Sequence, residues 1–251
     1  MSDPVLLVDG ISKRFGAIQA LQDVSMSISR GQIVGLVGDN GAGKSTLVKI
    51  IAGVHQATSG RVLLDGEPVA FTSPAEARDA GIETVYQHLA LVDNLDVAAN
   101  FYLGRELFRG RLLRWLGAID KAEMRRRSRE AIDDLHVRIP GEATRLVRDM
   151  SGGQRQAVAI ARSAFWKTRL LLLDEPTAAL GVEETAEVER LIHEMRDGEG
   201  VPMLIISHDM PQIVRLCDEV VVLRQGRKVA HLSGEDTTAP EIVAYLTGAK
   251  V

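Results

Sequence analysis

Residues 32–50 read QIVGLVGDNGAGKSTLVKI. An apolar run over 33–37 leads into Gly38, four residues follow, and then Gly43, Lys44 and Ser45; LVKIIAGV (47–54) continues as a helix ending near Gly53. Strand, glycine-rich loop and helix, in that order, form the context in which this spacing binds phosphate. The glycines let the backbone curl so that its N–H groups converge on an anion, and the helix start adds a positive field. Lys44 is positioned to reach the β- and γ-phosphates of a nucleoside triphosphate, the Ser45 hydroxyl is suited to ligate Mg2+, and Gly41 adds a flexible point. The competing reading, a glycine-rich turn with a solvated lysine, leaves the flanking strand and helix unaccounted for.

The segments on either side extend the pattern. VLLVDGI and VSMSI precede the loop as strands; RVLLDGEPVAF (61–71) reads as a hairpin turning at Asp65-Gly66; SPAEARDA (73–80) reads as a helix capped by Ser73 with Pro74 at its first position. Further on come LLLL (170–173), a helix over 183–197, PMLIIS (202–207), a helix over 210–217, and a hairpin in VVVLRQGRKVAHL (220–232) turning at Gln225-Gly226. Strands alternating with helices give an α/β fold with a largely parallel core. Residues 91–165 differ: they are helix-rich, arginine-rich and poor in β-branched runs, as an inserted subdomain would be. RELFRGRLLRWLGAIDKAEMRRRSR (105–129) holds nine basic and three acidic residues. A solvated helical face, a contact with anionic lipid headgroups and a contact with nucleic acid are all open for that stretch.

Three further stretches carry chemistry. LLLLDEPT (170–177) is a buried-type strand stopped by Pro176, so Asp174 and Glu175 fall at its carboxyl end, where open α/β sheets bind ligands. Asp174 is suited to hold Mg2+ and Glu175 to polarise an attacking water; an acidic pair in an exposed loop is the alternative. LIISHD (204–209) ends a second strand at His208, within reach of a γ-phosphate, and Gln87 follows a strand-like run in ETVYQHLAL (83–91); neither residue means much alone. MSGGQRQAVAIARSAF (150–165) is a second anion-binding helix start, with Ser151, Gly152, Gly153 and Gln154 but no lysine.

Composition narrows the setting. The chain has 251 residues, 45% hydrophobic and 25% charged, and a net charge of −4, which argues against a protein that coats nucleic acid. Its single cysteine, Cys217, excludes an internal disulfide and a cysteine metal cluster. The N-terminus lacks the charge order and apolar length of a signal peptide, and no run of 18 apolar residues occurs. The expectation is a chain that spans no membrane itself and acts at one only through a partner.

Taken in order, these segments resemble the ATP-binding subunit of ABC transporters over nearly the whole chain. The loop Gly38–Thr46 (Gly38, Asp39, Asn40, Gly41, Ala42, Gly43, Lys44, Ser45, Thr46) matches the nucleotide loop, Gln87 the Q-loop, SGGQ (151–154) the signature, Asp174 and Glu175 the second nucleotide motif, and His208 the switch histidine. Phe15 falls where the family places an aromatic that stacks on adenine. The resemblance implies a P-loop NTPase (RecA-like) core with an N-terminal antiparallel β subdomain and an inserted helical subdomain. In this chain that is one domain over 1–251, with 1–87 and 166–251 as the core and 88–165 as the helical part. It implies ATP and Mg2+ as cofactors, with Ser45, Gln87 and Asp174 at the metal and Glu175, His208 and Gln87 as catalytic groups. It also implies transmembrane permease subunits as partners and a location on the cytoplasmic face of the bacterial inner membrane. The alternatives are a subunit for another substrate, an exporter subunit, or a soluble ABC-type ATPase acting on nucleic acid; no nucleic-acid partner is expected, because such relatives usually carry long coiled-coil inserts or two tandem halves and this sequence shows neither. QHLALVDNLDVAANFYLGRE (87–106) and DEPTAALGVEE (174–184) are similar to subunits of monosaccharide importers of the ribose, xylose and fructose kind, which a periplasmic or extracellular sugar-binding protein supplies.

With one glycine loop and one signature, the chain has to pair with a second ATP-binding subunit, a copy or a relative. The second helix start then serves the neighbour's ATP, closing over a nucleotide already held by Gly38–Ser45 of the other copy. Two positions depart from the family pattern: Gly181 stands after Leu180 where an aspartate is common, and Met150 precedes the signature in place of leucine.

Overall fold

The computed structural model describes residues 3–109, 118–135, 142–166, 168–233 and 237–250. The strands are β1 (Leu6–Phe15), β2 (Ile18–Ile28), β3 (Ile33–Gly38), β4 (Ser59–Leu64), β5 (Glu67–Val69), β6 (Ile82–Val85), β7 (Leu170–Asp174), β8 (Met203–Ile206), β9 (Glu219–Arg224) and β10 (Arg227–Ser233). The helices are α1 (Lys44–Ile51), α2 (Pro74–Asp79), α3 (Val97–Phe101), α4 (Lys121–Asp134), α5 (Gly152–Ala164), α6 (Val182–Glu199), α7 (Met210–Leu216) and α8 (Ala239–Thr247). The chain divides into two compact units, Met1–Gln87 with Lys167–Pro176 and Met195–Val251, and His88–Trp166 with Thr177–Glu194.

The first unit holds two sheets. One is antiparallel, in the order β2-β1-β4-β5; the other runs β10-β9-β3-β8-β7-β6. In the second, β6, β7, β8, β3 and β9 pair in parallel, and β10 closes the edge antiparallel to β9. β3, β8 and residues 170–173 of β7 are continuous apolar runs, as strands covered on both faces require; β8 and residues 170–173 of β7 are buried throughout. Both hairpins turn where the sequence places them: Asp65-Gly66 and Gln225-Gly226 each take two successive positive φ angles (48° and 80°; 50° and 79°), the demand of a two-residue turn between twisted strands.

The register across the parallel sheet sets up the chemistry. Asp174 lies beside Ile206, and Ile206 beside Leu36. The carboxyl ends of β3, β8 and β7 therefore open on one edge, delivering the glycine loop, the His208 loop and the Asp174–Glu175 pair side by side. The core beneath them includes Leu36, Leu47, Ile51, Leu172 and Leu204, all fully buried.

The second unit is helical. Asn100 on α3, fully buried, accepts from the Val92 N–H and donates to the Val92 and Asp96 carbonyls, which satisfies the backbone of the loop that enters the helix. Phe101, Tyr102, Phe165 and Trp166 pack edge to face with ring centroids 4.9–5.7 Å apart, and the Trp166 indole N–H donates to the Phe101 carbonyl at 3.2 Å. These contacts group Trp166 with the helical residues rather than with the core. Thr177–Glu194, read from the sequence as part of the core, also groups here, because Leu180 and Glu184 lie against the glycines that open α5.

Candidate functional site

β3 ends at Gly38 and α1 begins at Lys44, so the loop between them joins a buried strand to a helix start. Gly43 has φ 104°, and a Cβ there would meet Leu21 Cδ2 at 2.6 Å and the Ala20 carbonyl at 2.8 Å. A Cβ on Gly38 would meet the Leu223 carbonyl at 2.6 Å. Only glycine fits either position, because β2 and β9 press on the loop. Gly41 needs glycine for its φ of 81° alone.

The start of α1 has no side-chain cap, whereas α2, α3, α4, α5, α7 and α8 are capped by Ser73, Asp96, Asp120, Ser151, Asp209 and Thr238. The first-turn N–H groups of Lys44, Ser45 and Thr46 have no intrahelical acceptor, which leaves donors for an oxyanion. Lys44 Nζ donates to the Gly38 carbonyl at 2.5 Å and the Asp39 carbonyl at 3.2 Å. Burial holds its pKa below the ordinary lysine value, against the opposing pull of Glu175, Asp39 and Asp174. Asp39, Asn40 and Ser45 are exposed and Ala42 is buried.

Glu175 follows β7 with φ 54°, its N–H donating to the Ile206 carbonyl at 2.8 Å. That left-handed turn re-aims the chain, and the Glu175 carboxylate meets His208 Nδ1 at 2.8 Å. A carboxylate only accepts, so Nδ1 carries the proton in this contact. His208 is 79% exposed and Glu175 18%. Burial and then Glu175 raise the pKa of Asp174, while Lys44 and Lys49 lower it.

A network that the sequence reading did not pick out fixes the His208 loop. Ser207 Oγ accepts from the Asp209 N–H at 3.0 Å and donates to Gln212 Oε1 at 3.2 Å, and Asp209 caps α7 through the Gln212 N–H. Ser207 and Gln212 are buried. An S-x-D-x-x-Q spacing that spans a helix cap is the signal that could have found it. The β9–β10 turn was also missed as a support: the Gly226 N–H donates to the Ala42 carbonyl at 3.0 Å, and the Gln22 N–H to the Gly226 carbonyl at 2.7 Å.

Among the described residues no group of three or more His, Cys, Asp and Glu forms a ready cation site. Oxygens there include the Asp174 carboxylate and the exposed Ser45 hydroxyl, hard donors of the kind that Mg2+ takes, and substrate phosphates and water would complete its shell. A cation there would also relieve the unfavourable burial of the Asp174 charge. Gln87 is exposed, two residues beyond β6, whose Val85 pairs with Leu173 of β7. Phe15 closes β1, 42% exposed, with the His55 ring edge-on at 5.3 Å and Lys13 Nζ 4.9 Å from its centroid.

Ser151–Gln154 belongs to the other unit. It opens α5 as a full capping box: the Gln154 N–H donates to Ser151 Oγ at 3.3 Å and the Ser151 N–H to Gln154 Oε1 at 3.1 Å. Ala161, Ala164 and Met150 are buried and Ala157 partly so. Hydrogen bonds from the Ser151 hydroxyl and then the Gly153 and Gly181 N–H groups hold Glu184 below the usual carboxylate range. In the arginine-rich stretch, residues 110–117 lie outside the described residues. Arg125 pairs with Asp96, Arg126 with Glu123 and Glu130, and Arg127 with Glu123.

A parallel sheet with a glycine loop after one strand and an acidic pair after another defines a P-loop nucleotide hydrolase. Residues 21–178 match the ABC transporter family, and the chain belongs to it, a family of ATP-binding ATPases coupled to transport. It is 41% identical over 249 residues to the fructose import ATP-binding protein FrcA of Rhizobium meliloti, spanning 99% of this chain and 95% of that one. It is 42% identical over 247 residues to the xylose/arabinose import ATP-binding protein XylG of Sulfolobus acidocaldarius, spanning 98% and 95%. Against the ribose import ATP-binding protein RbsA 1 of Burkholderia cenocepacia it is 43% identical but spans 47% of that protein. A nucleotide-free ATP-binding cassette superposes with TM-score 0.81 at 25% identity, covering 98% of this chain and 96% of its own. The dimeric cassette MJ0796 superposes with TM-score 0.74 at 25% identity, covering 91% and 98%. The resemblance read from the motifs and the fold class it implied are thereby borne out. Among the described residues no helix is long and apolar enough to cross a membrane.

Proposed function

We propose that this chain is the ATP-binding subunit of a monosaccharide importer. Two copies close head to tail on two ATP molecules, each held between one copy's Gly38–Thr46 loop and the other's SGGQ. The observation that carries the reading is the gathering of Lys44, Asp174, Glu175 and His208 at one sheet edge, with Glu175 and His208 2.8 Å apart. Phe15 stacks on adenine. Loop N–H groups and Lys44 bind the β- and γ-phosphates, with Lys44 exchanging its carbonyl partners for them. Ser45, Gln87 and Asp174 are the residues that would hold Mg2+, which would supply charge neutralisation at the phosphates. Glu175 takes a proton from water as the water oxygen bonds to the γ-phosphorus and the β–γ bridging bond breaks, releasing ADP and phosphate. His208 contacts the γ-phosphate, and Gln87 relays its presence to the permease on the cytoplasmic face of the membrane. The sugar assignment rests on the names of the fructose, xylose/arabinose and ribose relatives.

The test is to copurify the membrane subunits, reconstitute them, and measure ATPase activity with a sugar-loaded binding protein. Stimulation by a pentose or hexose is expected. Stimulation by a non-sugar substrate alone, or export of substrate, would replace the sugar-import reading.

A further inference from the structure

Gly153 opens α5 with the side chain of Glu184 lying directly on it. A Cβ at Gly153 would come within 2.7 Å of Glu184 Cβ and 3.1 Å of its carboxyl carbon, and a Cβ at Gly152 would lie 3.9 Å from Glu184 Oε2. The same Oε2 accepts from the Gly181 N–H at 3.3 Å. Gly181 precedes α6, whose first turn closes with the Thr185 N–H on the Gly181 carbonyl at 2.9 Å. Glu184 is therefore the third residue of α6 and supplies one half of a capping box; Gly181 has no side chain to supply the other half. The carboxylate thus serves two helix starts at once: its own, and the one that the proposed function assigns to the partner's nucleotide.

A carboxylate and a terminal phosphate are both oxyanions that seek the same hydroxyl and N–H donors. We infer that in the single chain the Glu184 carboxylate holds the anion position of the SGGQ helix start, and that it must give way to the partner's γ-phosphate when two copies close. Ser151 and Gly153 exchange one oxyanion for another, so closure gains less than it would from an empty donor set, and Glu184 sets the ATP concentration at which the pair forms. This inference rests on the proposed sharing of ATP between copies. It also gives Gly153 a role inside the chain, as the floor on which Glu184 packs.

The experiment titrates ATP into Glu175→Gln chains with and without Glu184→Gln and follows dimer formation by light scattering. A fluorescent ATP analogue reports binding to the monomer, and the melting midpoint monitors the fold. Glutamine keeps the length and a carbonyl acceptor for the Gly181 N–H but removes the charge. The expected result is half-closure at an ATP concentration lower by about fivefold or more, with monomer binding unchanged. Glu184→Ala, which removes carboxylate and stem together, is expected to shift closure in the same direction. An unchanged or higher concentration for both variants overturns the role of Glu184 and leaves the shared-ATP reading standing. Failure of Glu175→Gln itself to dimerise with ATP overturns both.

Discussion

Glu175 sits on a left-handed turn with φ 54°, a costly conformation for a residue with a side chain, and the turn brings its carboxylate to His208. Its proposed role as base predicts that Glu175→Gln lowers kcat by about 10²–10⁴-fold while ATP binding persists, read by phosphate release and equilibrium binding. Wild-type turnover would remove Glu175 from that role. Gly43 is constrained twice, by φ and by the Leu21 and Ala20 atoms its Cβ would meet. Gly43→Ala is expected to cost about 1–3 kcal/mol and to weaken ATP binding, measured by melting and by fluorescent-nucleotide titration. The steric constraint comes from β2, whose sequence gives no sign that it touches the loop.

The β9–β10 hairpin shows how an element remote in sequence supports the site. Gly226 is hydrogen-bonded to Ala42 and Gln22, and a Cβ on it would meet the Ala20 carbonyl at 2.8 Å. Gly226→Ala should therefore reduce nucleotide affinity although residue 226 lies outside the Gly38–Thr46 loop; unchanged affinity would show the turn to be a bystander. In α4, hydrogen bonds from Arg126 and then Arg127 hold the Glu123 carboxyl at about 2, below its ordinary 4.5. A depressed carboxyl stabilises the fold above its unfolded pKa and loses that contribution as pH falls through its folded one. The helical unit should accordingly lose stability between about pH 4.5 and 2, and Glu123→Gln should flatten that part of a circular-dichroism acid titration. The basic excess legible in the sequence gave no sign of this pairing, because i,i+3 and i,i+4 partners are decided by which helix face each residue occupies.

For the whole molecule, the property on which the proposed function turns is pairing between two ATP-binding subunits. Gly181 stands where the family commonly carries an aspartate, and a Cβ there would meet nothing within 4 Å, so the larger residue is sterically accommodated. Gly181→Asp adds a carboxylate beside Glu184 and is expected to change the cooperativity of ATP hydrolysis, read as the Hill coefficient; an unchanged coefficient would make the departure silent. The grouping of Thr177–Glu194 with the helical unit puts both residues 181 and 184 in the compact unit that carries the signature.

The sequence by itself determined the nucleotide loop, the acidic pair, the signature, both hairpin turns and the alternating α/β order. Each of these is a local pattern: fixed spacings of glycine, proline and charge, or runs of apolar residues, that constrain a few neighbouring dihedral angles. Only the tertiary structure decided the strand order β10-β9-β3-β8-β7-β6, the 2.8 Å contact between Glu175 and His208, the buttressing of Ala42 by Gly226 and the seating of Glu184 on Gly153. Those depend on which strands become neighbours and on how closely backbones approach. Packing of the whole core sets both, over sequence separations that no local pattern spans.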